Sequence, residues 1–176
     1  MSVFNRIAGR LRRGAPPPAA LGWLAPGDRL LAWATTPDQG VVVATRNCLR
    51  LPDGRQLAWH LIDKAVWRDS VLTLTEAVDI GPGVAENLPP VVVPLADPRD
   101  LPVVVRTRVT RSVAYTAHHR LPGGGGVRVV ARRVVGQDGL TWSVRYDGAG
   151  DRHDPGAEAA AEQLLSAART SMTPSE

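Results

Sequence analysis

One cysteine, one lysine, one phenylalanine and two tyrosines are all that 176 residues contain of those types. The single cysteine, Cys48, excludes an internal disulfide framework. No Cys/His spacing resembles a zinc site, so a reducing, cytoplasmic setting is expected, with no metal and no cofactor. No apolar run approaches the ~18 residues of a membrane-spanning helix. The N-terminus has the arginines of a secretory signal but not the apolar stretch that follows them, because residues 14–20 are a Pro/Ala run. Neither export by that route nor an integral membrane protein is expected.

Against these absences stand 44% apolar residues, enough for a real core, and 21 basic side chains against 17 acidic ones. All the basic residues but one are arginine, and Ala, Gly, Pro and Val are abundant, the signature of a GC-rich genome. Placement therefore says more than number. Residues 99–133 hold eight arginines against one acid, a net +7. Residues 14–98 are −3, residues 134–176 are −4, and residues 1–13 carry four arginines and no acid. Charge segregated in this way presents a cationic surface to a partner.

Residues 2–13 place Val3, Phe4, Ile7 and Leu11 at helical spacing, with Arg6, Arg10, Arg12 and Arg13 on the other face. A disordered tail is the plainer reading, since about twelve residues make a marginal helix. The functional reading is a membrane-docking tail using Phe4, Arg6, Ile7, Arg10, Leu11, Arg12 and Arg13. Pro16, Pro17 and Pro18 then stiffen a linker.

Strand patterns follow at 29–36, 41–46, 48–51, 56–67, 71–75 and 91–95, with 79–90 read as a loop. Asp100 and Pro102 mark a helix start, and Leu101, Val104, Val105, Val109, Ser112 and Val113 then share a face. The valines also alternate as a strand would, so the capping residues decide for helix over 101–112. Residues 115–121, 127–135 and 140–146 read as a three-stranded antiparallel meander. In its last strand Leu140, Trp142, Val144 and Tyr146 point inward and Arg145 outward. Arg128 and Arg132 are likewise expected outward, beside His118 and Arg120. A helix starting at Asp154-Pro155 presents Ala157, Ala160, Ala161, Leu164, Leu165 and Ala168 as a narrow stripe.

The run Leu24-Ala25-Pro26-Gly27-Asp28-Arg29-Leu30-Leu31-Ala32, then Val41-Val42-Val43-Ala44-Thr45-Arg46 and the hairpin to Leu57-Ala58-Trp59, resembles bacterial pleckstrin-homology-like (PH-like) domains. The wider pattern, with Leu101-Pro102, Val109-Thr110-Arg111-Ser112-Val113, Gly126-Val127-Arg128-Val129 and Leu140-Thr141-Trp142, is similar to uncharacterised actinobacterial proteins. Six strands are read before the helix where the PH-like fold has seven, which leaves either a strand hidden in 56–67 or a variant fold. The expected fold class is therefore α+β, mainly β: a PH-like antiparallel sheet or barrel with its helix at 21–112, then a βββα unit at 113–170. Residues 1–20 form the basic tail and linker, and residues 171–176 a disordered end.

Several constellations have plainer explanations than chemistry. The glycines 123–126 lie between strands and lack the Gly-Lys-Ser/Thr of a phosphate loop, so they are a hairpin tip. Cys48 near His60 reads as a small core residue. His118 and His119 face opposite sides of a strand and cannot share a metal. Asp147, Asp151, His153 and Asp154 serve turns and capping.

The expected function is a non-enzymatic cytoplasmic binding or adaptor module. Arg106, Arg108, Arg111, Arg120, Arg128, Arg132 and Arg145 would meet an acidic protein or an anionic membrane surface, the latter placing the protein at the inner face of the membrane. Nucleic-acid binding through the same arginines is the alternative, and a small enzyme of unknown class the third. Neutralisation of the arginines by Asp147, Asp151, Asp154, Glu158 and Glu162 is the competing structural role.

Overall fold

The computed structural model describes residues 15–148 and 151–172. The tail over residues 2–13 lies outside them, as do residues 173–176; the expected disordered end is corrected at 171–172, which close a helix, and the expected linker at 18–20, which start one that buries Ala20. Of the described residues 42% are strand and 26% helix, arranged as a curled open sheet with a C-terminal helix. The elements are α1 (Pro18–Gly22), β1 (Leu30–Thr35), β2 (Val41–Thr45), β3 (Cys48–Arg50), β4 (Gln56–Ala58), a 3₁₀ turn (Trp59–Leu61), β5 (Ile62–Arg68), β6 (Val71–Gly81), β7 (Val84–Asn87) and β8 (Val91–Pro94). They continue with α2 (Leu101–Ser112), β9 (Val113–Arg120), β10 (Gly126–Arg132), β11 (Thr141–Tyr146), a second 3₁₀ turn (Asp151–His153) and α3 (Pro155–Met172).

Strands β1 to β4 form one antiparallel sheet in chain order. A second sheet runs β5-β6-β7-β11-β10-β9, and β8 pairs with the first half of β6. Its one parallel contact joins β7 to β11 at Val84 and Val144. The stretch 56–67 does hide a strand boundary, because the 3₁₀ turn separates β4 from β5. The expected loop over 79–90 is corrected. β6 continues to Gly81 and returns as β7 through Pro82-Gly83, where proline presets φ and Gly83 takes φ +70°. Among the described residues eight strands, not six, precede the helix.

Helix α2 forms despite its valines because Leu101, Val105, Val109 and Ser112 fall on one buried stripe. Packing outweighs the weak propensity penalty. That stripe closes the main core against Leu49, Leu57, Trp59, Ile62, Leu72 and Leu74. A second core lies where Val127, Val129 and Val144 meet Ala157 and Ala161 of α3. The small alanines let the helix approach the sheet closely. Ala161 is 1% exposed, so Ala161→Leu is expected to lower stability by about 1–3 kcal/mol through overpacking, read from a urea midpoint.

β5 and β6 are joined by Asp69-Ser70, with φ +50° and +63°. That pair matches the right-handed strand twist but strains side chains that have a Cβ. Ser70→Gly is expected to raise stability by about 1 kcal/mol, measured as a shift in Tm.

Trp59 is fully buried, while Trp33 and Trp142 are only partly so. Arg99 stacks over Trp33 at 3.7 Å, and Trp142 packs on Tyr115 at 5.6 Å between ring centroids. Val144, Trp142 and Tyr146 share the α3 side as the alternation predicts. Cys48 is half-buried rather than core, its sulfur beside the Thr45 hydroxyl and the Gln56 carboxamide.

Candidate arginine-rich interface

The arginines expected to form one outward face are divided among several environments. Arg132 and Arg145 are buried, against expectation, with side chains 6% and 10% exposed. Alternation along β10 and β11 places them on the face opposite α3 correctly. Around these two side chains that face is covered, because the sheet continues through β7, β6 and β5 and curls back over it, while Arg128 farther along β10 stays exposed. Val130 on the same face is also buried.

Asp63, at the start of β5, holds both guanidinium groups. Arg145 Nη1 and Arg132 Nη2 reach its Oδ1, the latter at 3.3 Å, and Asn87 Nδ2 donates to its Oδ2 at 2.9 Å. Arg132 Nη1 also donates to the Ile62 carbonyl and the Ser112 hydroxyl, each at 2.9 Å. Burial by itself would raise the Asp63 carboxyl pKa. The Arg145 charge, hydrogen bonds from Asn87 and Arg145, and the Arg132 charge together hold it below its ordinary value. Burial, then the Arg145 charge, lowers the Arg132 guanidinium, against the pull of Asp63. His60 beside them is lowered by burial first and by Arg132 second. Two cations share one carboxylate, so this cluster is structural and carries an excess positive charge.

A different group stands at the C-terminal end of α2. Arg108 passes beside the buried Trp59 ring, 5.8 Å from its centroid, and donates from Nη2 to the Arg46 carbonyl. Arg133 donates from Nη1 to the carbonyls of Arg111 and Val113, at 3.4 and 3.1 Å. Burial, the Arg111 charge and the Arg46 charge push Arg108 down from its ordinary pKa, against a smaller pull from Asp28. Arg108, Arg111 and Arg133 surround a hollow of about 110 Å³ with Trp59 and Val135 at its side. Among the described residues none of Arg46, Arg108, Arg111 and Arg133 forms an ion pair with a carboxylate. Arg46 and Arg133 were not among the expected site residues, although Arg133 lies in the +7 stretch.

The remaining arginines lie apart. Arg106 borders exposed Val66, Trp67 and Val103. Arg120 and Arg128 are exposed on β9 and β10. Among the described residues no ion pair joins Asp147, Asp154, Glu158 or Glu162 to an arginine of the expected face. Asp147 binds His118 at 2.7 Å, and Asp154 Oδ1 accepts the Gly156 amide at 3.0 Å, a turn and capping role. Among the described residues no three His, Cys, Asp or Glu side chains gather as a metal site, and no helix is long and apolar enough to cross a membrane.

No family model matches the chain, and no curated protein or solved structure matches it significantly.

Proposed function

We propose that this chain is a non-enzymatic cytoplasmic binding module of PH-like build, whose arginines at the end of α2 dock an acidic protein segment. The observation that carries the reading is the group Arg46, Arg108, Arg111 and Arg133, close enough for their charges to act on one another and without a carboxylate partner among the described residues. Such a group repels itself unless something anionic covers it. Backbone carbonyls already hold Arg108 and Arg133 in place, so little side-chain freedom is lost on binding. The hollow between them suits a single carboxylate side chain. The adjoining aromatic ring, Trp59, lies buried beneath, so bases have no outward ring to stack on there. The PH-like build is supported by the sheet β1 to β4, the strands β5, β6 and β8, and the helix that follows them.

One observation favours a second reading, an anionic membrane surface. Trp67 is 39% and Val103 68% exposed beside Arg106, an apolar and cationic surface that suits a lipid interface.

The test compares capture by immobilised poly-glutamate, by phosphatidylserine vesicles and by a short DNA duplex over a salt series. Poly-glutamate is expected to bind best and to release as salt rises. Arg46→Gln/Arg111→Gln should weaken that binding by roughly thirtyfold, since each exposed arginine contributes about 1 kcal/mol to an anionic surface. Equal capture of the variant, or capture by vesicles or duplex alone, would reject the acidic-protein reading.

A further inference from the structure

The two halves of the larger sheet are joined by little. Val84 and Val144 form the one parallel pair between β7 and β11, supported by the Val144 amide donating to the Gly83 carbonyl at 2.8 Å. Beside this pair, where β7 and β11 share no further ladder position, lies a cleft of about 350 Å³, lined by Ile80, Ala85, Asn87, Arg128, Arg145 and Tyr146 among others. That volume falls within the range of small-molecule sites, about 300–1,000 Å³.

The charges around the cleft are unevenly satisfied. Arg128 on β10 is the direct cross-strand partner of Arg145 on β11, and His118 is the next residue across the sheet. Like charges placed directly opposite one another weaken a sheet. Arg128 has no ion pair among the described residues. Arg145 is nine-tenths buried, spends one nitrogen on Asp63, and its Nε has no hydrogen-bond acceptor. The two rim carboxylates are already engaged, Glu86 by Arg152 at 2.8 Å and Asp147 by His118 at 2.7 Å. Two cross-strand arginines that line the cleft are thus left with donors that the fold does not use, beside the apolar surface of Ile80 and Tyr146.

We propose that the cleft between β7 and β11 binds a small organic anion, its phosphate or carboxylate group held by Arg128 and Arg145 and its apolar part resting against Ile80 and Tyr146. Paired arginines suit such groups because planar N–H forks match two oxygens at once. This site is separate from the arginines at the end of α2 and does not depend on their role.

The test is calorimetric titration of the full chain with phenyl phosphate and with benzoate at constant ionic strength, sodium chloride serving as the blank. Saturable one-to-one binding of either probe is expected, and the preferred probe tells whether the group is phosphate or carboxylate. Arg128→Gln should weaken binding about tenfold or more, the loss expected for a charge-assisted contact, without lowering the urea midpoint, since it also removes one of two opposed like charges. Arg46→Gln/Arg111→Gln should leave the affinity unchanged. Absence of saturation with both probes, or equal affinity in Arg128→Gln, would overturn the assignment. A loss of affinity in the Arg46/Arg111 variant would instead show that the anion binds at the end of α2.

Discussion

Asp63→Asn is expected to lower the unfolding free energy by roughly 3–5 kcal/mol, the loss typical of removing one partner from a buried ion pair. The carboxylate serves two arginines at once, both nine-tenths buried or more. Neutralising it leaves two like charges facing each other in a dehydrated seam. The same substitution should change the pH dependence. The folded Asp63 carboxyl lies below its ordinary value, so its contribution is present at pH above the ordinary carboxyl value of about 3.9 and is lost as pH falls through the lowered folded value. The stability gap between wild type and Asp63→Asn should therefore be full at neutral pH and shrink in acid below about pH 4. His60, whose pKa is also lowered on folding, favours unfolding as it protonates in acid, but it does so in both proteins and cancels from the comparison. Urea unfolding of both proteins across the pH range measures the gap; a constant gap would show that Asp63 is not ionised in the fold.

Trp59→Ala is expected to cost about 3–5 kcal/mol through the cavity it leaves in the main core. The ring is 1% exposed and is the largest fully buried side chain. It stands in the 3₁₀ turn where the chain passes from the first sheet to the second, so its loss loosens the junction of β4, β5 and α2. Its indole N–H also donates to the Thr45 carbonyl at 3.1 Å. Trp59→Phe keeps most of the packing and loses that bond, so it should cost about 1 kcal/mol more than packing alone explains. Thermal or urea unfolding separates the two variants. Equal, small losses in both would place the stabilising centre of the core elsewhere.

Much of this architecture is legible in the chain because local chemistry determines it. Asp100 and Pro102 mark where α2 starts, although the Asp100 side chain makes no capping hydrogen bond, and the spacing of Leu101, Val105 and Val109 identifies its buried stripe. The alanine stripe of α3 and the shared face of Trp142, Val144 and Tyr146 follow from period alone. The position of Arg132 and Arg145 does not, because alternation tells which residues share a face and not what covers it. A warning is present in Val129-Val130-Ala131, where the nominally outward Val130 makes the run apolar on both faces, as in a strand buried on both sides. The partner is harder to find. Asp63 lies 69 residues before Arg132, and nothing local marks it as the acid that curls back over β10. The β6–β7 hairpin is obscured in a similar way, since Pro82 and Gly83 read equally well as a long loop until pairing partners are known.

The arginines serve two separate ends: Arg132 and Arg145 hold the sheet together through Asp63, while Arg46, Arg108, Arg111 and Arg133, on the function proposed above, face a partner. The most direct measurement sets Arg132→Gln beside Arg46→Gln/Arg111→Gln, reading for each the urea midpoint and the capture by immobilised poly-glutamate. Arg132→Gln is predicted to lose several kcal/mol of stability, by the same buried-pair argument, with the capture of its folded fraction intact. The double surface variant should keep its stability to within about 0.5 kcal/mol and lose capture. If Arg132→Gln keeps its stability and loses capture, or if both proteins lose stability equally, the division of the arginines described here is wrong.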